Sequence, residues 1–164
     1  MALDSIRSEP GICIGIEEVY RKALLVASAS NLKKQLQDIV EEFVVNASSD
    51  NERLLEFVRN AAIKRRFHDW FDWQSGNANK FYSLFGREFK TTMNELARVD
   101  ETFANSVSCF VGIGSKRNIL VHEDFIANSI QDTCNEIHVS FLSALYFIQN
   151  IRQQLAAKLS QRPN

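Results

Sequence analysis

Residues 128–159 read NSIQDTCNEIHVSFLSALYFIQNIRQQLAAKL, and this stretch decides the fold class. Its apolar residues recur every three or four positions, which is the spacing of one face of an α-helix. Asn128 and Gln131 have the spacing of a capping box, so the helix is expected to begin there. The stretch therefore predicts one long amphipathic helix, with an apolar face formed by Ile130, Cys134, Ile137, Phe141, Leu145, Ile148, Leu155 and Leu159.

Helical spacing also appears in the first half of the chain, where no proline interrupts it. The two prolines are Pro10 and Pro163, both near the ends. A first helix is predicted from about residue 12 to residue 43, either as one long helix or as two nearly continuous ones. Ser49 and Glu52 have capping-box spacing, which predicts a second helix running to about Trp73.

The second half of the chain predicts further helices. Residues 74–86 mix turn formers with aromatic residues and are expected to form a connection with one short helix. A third helix is predicted over 87–97, and a fourth from about Asp100. Gly112 and Gly114 are expected to interrupt the fourth, since each glycine costs about 1 kcal/mol against alanine in a helix. The predicted fold is all-α, an up-and-down bundle of about four to five helices.

The composition predicts one domain. The chain has 164 residues, 45% hydrophobic and 24% charged, which is enough to bury one substantial core. We expect a single domain over 1–164, with flexible ends at 1–11 and 160–164. The 19 basic and 20 acidic residues give a formal net charge of −1. A polyanion such as nucleic acid must therefore be held by a local patch of positive charge.

The cysteines and the N-terminal stretch predict a cytoplasmic protein without a membrane partner. The three cysteines are odd in number, far apart and never in a C-x-x-C arrangement, which argues against a disulfide framework and a zinc knuckle. The N-terminal MALDSIRSEP carries Asp4 and Glu9, and only a short apolar patch follows it. We therefore expect neither a signal peptide nor a membrane-spanning segment.

The clearest candidate site is the hexapeptide R-N-I-L-V-H at 117–122. On a helix, Asn118 and His122 share a face and Arg117 lies to one side of it. Ile119 and Leu120 are expected to point into the bundle and to anchor the polar residues on a rigid element. The alternative is an ordinary helix end on which these polar side chains are surface residues.

This hexapeptide resembles the R-x4-6-H motif of the HEPN superfamily, including the asparagine that often follows the arginine. NKFYSLFGREF at 79–89 is similar to the segment before the fourth helix in the stand-alone branch that includes the RiboL-PSP-HEPN group. The architectural resemblance covers about residues 12 to 159. It implies a metal-independent endoribonuclease that is a homodimer in many members, and a non-catalytic binding or scaffolding role in members that have lost the motif. Arg117, Asn118 and His122 are all present here.

The residue types suit RNA cleavage without a metal. The ribose 2'-hydroxyl is the nucleophile, so a base must take its proton and an acid must protonate the departing 5'-oxygen. An imidazole, with an unperturbed pKa near 6.5, can do either at neutral pH. Arg117 would donate hydrogen bonds to the phosphoryl oxygens, and Asn118 would hold the His122 ring or contact phosphate. No cofactor is expected.

A second basic stretch is a candidate RNA-binding surface. Lys64, Arg65 and Arg66 precede the aromatic residues of 67–73 and could grip phosphates and stack bases, and Lys116 could join them. The alternative for the stretch is a basic helix face backed by core aromatics.

The remaining histidines and acids are weaker candidates. His68 beside Asp69 could extend a site or be structural. His138 adjoins the apolar face of the last helix and is expected to be a packing residue. A metal site at His122-Glu123-Asp124 is not expected, because adjacent residues point in different directions on a helix.

The predicted function is that of an endoribonuclease acting as a toxin or defence effector. The alternative is a non-catalytic RNA-binding or dimerisation module of a toxin–antitoxin or defence system. One motif supplies one histidine, so a two-fold homodimer is expected to place His122 of each chain in one composite site. Gly112 and Gly114 would let the two helices approach closely. An antitoxin or other inhibitory protein is a further expected partner.

Overall fold

The computed structural model describes residues 10–49, 51–122, 125 and 128–159. Within these ranges the chain forms α-helices and no strand, which confirms the all-α prediction. A π-helical turn at Arg59–Ile63 follows the second α-helix, and a 3-10 turn follows at Phe67–Trp70. The α-helices of the described residues are α1 (Pro10–Ala47), α2 (Glu52–Val58), α3 (Asn79–Ser83), α4 (Arg87–Val99), α5 (Glu101–His122) and α6 (Cys134–Leu159).

The three long helices α1, α5 and α6 pack against one another, and α4 packs against α3 and α5. Their shared core is rich in aromatic residues. Burial of one such large side chain stabilises the fold by about 1.5–3 kcal/mol. The side chains that are almost completely buried include Leu25, Leu32, Leu36, Phe71, Phe81, Phe89, Phe103, Phe147 and Ile151.

The second predicted helix is shorter than expected and has a different cap. Asn51, and not Ser49, caps α2, because its side-chain Oδ1 accepts a hydrogen bond from the backbone N–H of Leu54 at 3.1 Å. Ser49 has a φ of 49° and lies outside the helix. The chain becomes extended at Phe71, whose ring stacks on that of Phe81 at 5.0 Å. Residues 64–73 therefore form a turn-rich segment instead of the end of a helix.

The last helix begins at Cys134, later than predicted. Its capping box is formed by Thr133 and Glu136 instead of Asn128 and Gln131. The backbone N–H of Thr133 donates to Oε2 of Glu136 at 2.7 Å, and the N–H of Glu136 donates to Oγ1 of Thr133 at 3.2 Å. The Thr133 hydroxyl also donates to Oε2 of Glu136 at 2.9 Å, and the two hydrogen bonds that this carboxylate accepts from Thr133 lower the pKa of Glu136.

Helix α5 is continuous through Gly112 and Gly114, so the predicted interruption is wrong. Leu120 is buried as expected, but Ile119 is 43% exposed and does not point into the bundle. Packing by α1 and α6 offsets the cost of the two glycines.

The beginning of the chain also differs in part from the prediction. Helix α1 is one helix, and residues 10 and 11, assigned to a flexible end, are its first two residues. The other predicted flexible residues, 1–9 and 160–164, lie outside the described part of the chain. No helix among the described residues combines the length and the apolar character needed to cross a bilayer.

Candidate functional site

A groove of about 360 Å³ lies between α1, the segment 64–73 and α5. Arg117 and His122 of the hexapeptide line it together with Lys64, Arg65 and His68. Its other described lining residues are Ala29, Leu32, Lys33, Phe67, Trp73, Phe110, Ile113 and Gly114. The fold thus brings the two candidate stretches of the sequence into one groove.

The groove is electropositive. Lys33, Lys64, Arg65 and Arg117 are cationic, and none of the described lining residues is acidic. The formal net charge of the whole chain is −1, so this is a local concentration of positive charge. A phosphate-bearing ligand would be attracted here although the chain as a whole would not attract it.

The three motif residues lie at the C-terminal end of α5. Nη1 of Arg117 donates to Oδ1 of Asn118 at 3.2 Å, which holds the partly buried guanidinium in place. His122 is the last residue of α5 and is exposed. The amide oxygen of Asn118 contacts Arg117, and among the described residues no hydrogen bond joins Asn118 to the His122 ring.

A second groove, of about 640 Å³, adjoins the first. Asn118 lines this second groove, and Lys80 lies at it as well. Trp73 and His122 line both grooves, so the two meet at these side chains. The described residues of the second groove are Phe71, Asp72, Trp73, Gln74, Lys80, Ser115, Asn118, Ile119 and His122.

Trp73 lies directly on the backbone of α5 at Gly114. A Cβ atom at Gly114 would come within 2.8 Å of Cη2 of Trp73 and closer still to two other ring carbons. The indole Nε1 of Trp73 donates to the carbonyl oxygen of His68 at 3.1 Å. The absence of a side chain at Gly114 therefore makes room for the Trp73 ring of the same chain. The sequence suggested instead that this glycine makes room for a helix of a partner chain. Nothing lies within 4 Å of a Cβ at Gly112.

Two of the four predicted RNA-binding residues lie outside this groove. Nζ of Lys116 contacts both carboxylate oxygens of Asp132, at 2.6 and 2.7 Å, on a different face of α5. Arg66 lines a separate apolar groove beside Asp69 and Trp70. Phe67, Trp70 and Phe71 are buried in the core, as the alternative for this stretch predicted.

The structure also brings a second histidine to the motif. The His68 side chain is 74% exposed, and its Nε2 lies 3.2 Å from Oδ1 of Asp69. It lines the same groove as His122, although no spacing in the sequence tied the two together. His138, in contrast, is exposed on α6 and does not pack as predicted.

Lys33 was missed entirely by the sequence reasoning. It follows buried Leu32 on α1, and its Nζ lies 5.5 Å from the centre of the Phe67 ring. Its neighbour Lys34 bonds with Asp38 and is not among the groove residues. The helical periodicity of α1 predicted that Leu32 is buried. It did not predict which of the two following lysines reaches the groove, because that depends on how α1 packs against residues 64–73.

No group of three or more His, Cys, Asp or Glu side chains that could hold a metal ion is present among the described residues. Glu123 and Asp124, the alternative metal ligands beside His122, lie outside the described part. The described side chains that line the first groove offer proton transfer by the imidazoles and charge stabilisation by Arg117 and its neighbouring cations.

In a comparison with protein families, the chain matches the family described as RiboL-PSP-HEPN. The match spans residues 11–157, which includes both grooves and all three motif residues. Comparisons with curated proteins and with solved structures give no match.

Proposed function

Because the chain belongs to the RiboL-PSP-HEPN family, we propose that it is a metal-independent endoribonuclease whose active site is the groove at Arg117 and His122. Family membership indicates an RNase-type or RNA-related function. The observation that carries the finer proposal is the presence of both motif residues in one groove with the cations Lys33, Lys64 and Arg65.

The groove supplies what phosphodiester cleavage needs. The 2'-oxygen attacks the adjacent phosphorus while His122 takes the hydroxyl proton. The bond between phosphorus and the 5'-oxygen breaks, and the departing oxygen takes a proton from an acid or from water. Negative charge builds on the non-bridging oxygens in the transition state, where the guanidinium of Arg117 donates hydrogen bonds. Lys64 and Arg65 bind neighbouring phosphates, which orients the strand. The products are a 2',3'-cyclic phosphate and a 5'-hydroxyl.

The arrangement of the grooves favours an extended strand as substrate. His122 lies where the two grooves meet, so a strand that occupies both passes this side chain. Trp73, which lines both grooves, offers part of its ring face for contact with a base. Asn118 and Lys80 would contact the strand beyond the cleavage point.

A second copy of the chain is the first proposed partner. Exposed apolar side chains cluster in the first three turns of α1, and such patches mark protein contacts. Homodimerisation would bring two copies of the motif into one particle. The side chains in question are Ile12, Ile14, Ile16, Val19 and Tyr20, which are 51–65% exposed.

We further propose a biological role as a toxin or defence effector in the cytoplasm. An unrestrained endoribonuclease would damage the RNA of its own cell, so an antitoxin or other inhibitory protein is the second proposed protein partner. The groove at Arg117 and His122 is the surface that such an inhibitor would need to cover.

Cleavage of RNA is expected to persist in excess EDTA, and DNA of the same sequence is expected to be inert. The nucleophile is the substrate's own 2'-hydroxyl, which DNA lacks, and side chains perform the proton transfers. The measurement is gel analysis of an end-labelled single strand, prepared once as RNA and once as DNA, after incubation with the protein with and without chelator.

Loss of cleavage in EDTA with recovery on addition of magnesium would contradict the mechanism and favour a site that uses Glu123 and Asp124. Binding of the strand without any cleavage would favour a non-catalytic RNA-binding module.

A further inference from the structure

We propose that His68 is the second proton-transfer residue of this active site and acts in the same chain as His122. The inference rests on the proposed endoribonuclease function. Cleavage by side chains alone is best served by a base on the 2'-oxygen and an acid on the 5'-oxygen. The hexapeptide supplies one imidazole, and His68 supplies another in the same groove of about 360 Å³.

The surroundings of His68 suit an acid. Its Nε2 lies 3.2 Å from a carboxylate oxygen of Asp69, a contact that orients the ring. The other ring nitrogen, Nδ1, is then left for the substrate. The side chain is 74% exposed, so a phosphodiester in the groove can reach it.

The backbone of His68 is fixed relative to the motif. Trp73 donates from its indole Nε1 to the carbonyl oxygen of His68, and the Trp73 ring lies on α5 at Gly114. Gly114 is on the same helix as Arg117 and less than one turn before it. The buried residues Phe67 and Trp70 hold the 3-10 turn on either side of His68. His68 is thus positioned against α5 by packing and by a hydrogen bond, as a catalytic group requires.

The proposed step balances within the groove. His122 accepts the proton of the 2'-hydroxyl, and the bond between the 2'-oxygen and phosphorus forms. The bond between phosphorus and the 5'-oxygen breaks, and that oxygen takes the proton held by His68. One imidazole gains a proton and the other loses one, so exchange with water restores both, and no oxidant, metal or co-reactant is consumed.

A substrate with an altered leaving group tests the role of His68. His68→Ala is expected to slow cleavage of ordinary RNA by about 10²- to 10⁴-fold. In RNA whose bridging 5'-oxygen is replaced by sulfur, the leaving thiolate needs no proton. On that substrate His68→Ala is expected to cleave at nearly the wild-type rate, while His122→Ala stays slow on both. His138→Ala, which changes an exposed histidine outside the groove, should match the wild type on both.

The outcomes separate this inference from the proposed function. If the wild type cleaves RNA and His68→Ala cleaves it equally fast, His68 is not catalytic. A loss of the same size on the oxygen and sulfur substrates would exclude its role as the acid. A wild-type protein that cleaves neither substrate would overturn the proposed function and this inference with it.

A linked dimer distinguishes His68 from a composite site. One half is wild type and the other carries Arg117→Ala with His122→Ala. If each chain holds both imidazoles of its own site, the linked dimer should retain about half of the activity. Loss of far more than half would show that His122 of one chain works with His122 of the other, and would overturn the assignment of His68.

Discussion

Replacing His122 by alanine is expected to lower the rate of RNA cleavage by about 10²- to 10⁴-fold, the range for loss of a general acid or base. Arg117→Ala removes a hydrogen-bond donor to the transition state, and about a 10²- to 10³-fold loss is expected. His122 is exposed at the end of α5, so its substitution should change the free energy of unfolding by no more than about 0.5 kcal/mol. Single-turnover kinetics and chemical denaturation of the same preparations measure both effects.

Matched controls come from the same residue types on α6. His138→Ala and Arg152→Ala each remove an exposed side chain that does not line either groove. Both variants should cleave RNA at the wild-type rate. Activity of His122→Ala close to that of His138→Ala would refute the assignment of the active site. Unfolding of His122→Ala would instead mean that α5 is rotated differently from the structure.

Replacing Gly114 by alanine is expected to lower the free energy of unfolding by about 1–3 kcal/mol, as overpacking of a core does. The added Cβ would overlap the Trp73 ring, so the ring must move away from α5. Trp73 also holds the backbone of His68, so RNA cleavage should fall as well. Gly112→Ala is the matched control, because its Cβ meets nothing within 4 Å and alanine is favoured over glycine in a helix by about 1 kcal/mol.

A double-mutant cycle identifies the cause of the Gly114 effect. In a Trp73→Ala background the clashing ring is gone, so Gly114→Ala should cost little or nothing. Denaturation curves of the four proteins give the coupling between the two positions. A cost that persists without the indole, or a Gly114→Ala variant as stable as Gly112→Ala, would contradict the close contact of Trp73 with α5.

Much of the fold could be predicted because its long helices carry regular apolar faces. The spacing of residues 128–159 predicted α6, and α4 at Arg87–Val99 closely matches its predicted range of 87–97. The second helix was predicted to be longer than it is, because Phe67, Trp70 and Phe71 have helical spacing. A 3-10 turn followed by an extended residue accommodates the same spacing. The spacing of apolar residues is the same for an α-helix and for this combination of a turn and an extended residue. The packing of the segment against α5 decides which of the two forms.

The site could be predicted only in part, for a related reason. The hexapeptide identified Arg117 and His122 because its residues are adjacent in sequence. Adjacent residues on a helix point about 100° apart, so the pattern could not tell that Lys116 faces Asp132 while Arg117 faces the groove. His68 reaches the groove through the packing of distant segments, which the sequence alone does not reveal.

The most direct test of a ribonuclease active site at Arg117 and His122 is to incubate the purified protein with a structured RNA pool in EDTA and to map the ends produced. We expect the wild type to produce fragments with 2',3'-cyclic phosphate and 5'-hydroxyl ends, and the protein with both Arg117→Ala and His122→Ala to produce none while still binding RNA. If the two proteins give the same ends, or if the wild type binds the pool and leaves it intact even after removal of any co-purifying partner, the groove at Arg117 and His122 is not a ribonuclease active site.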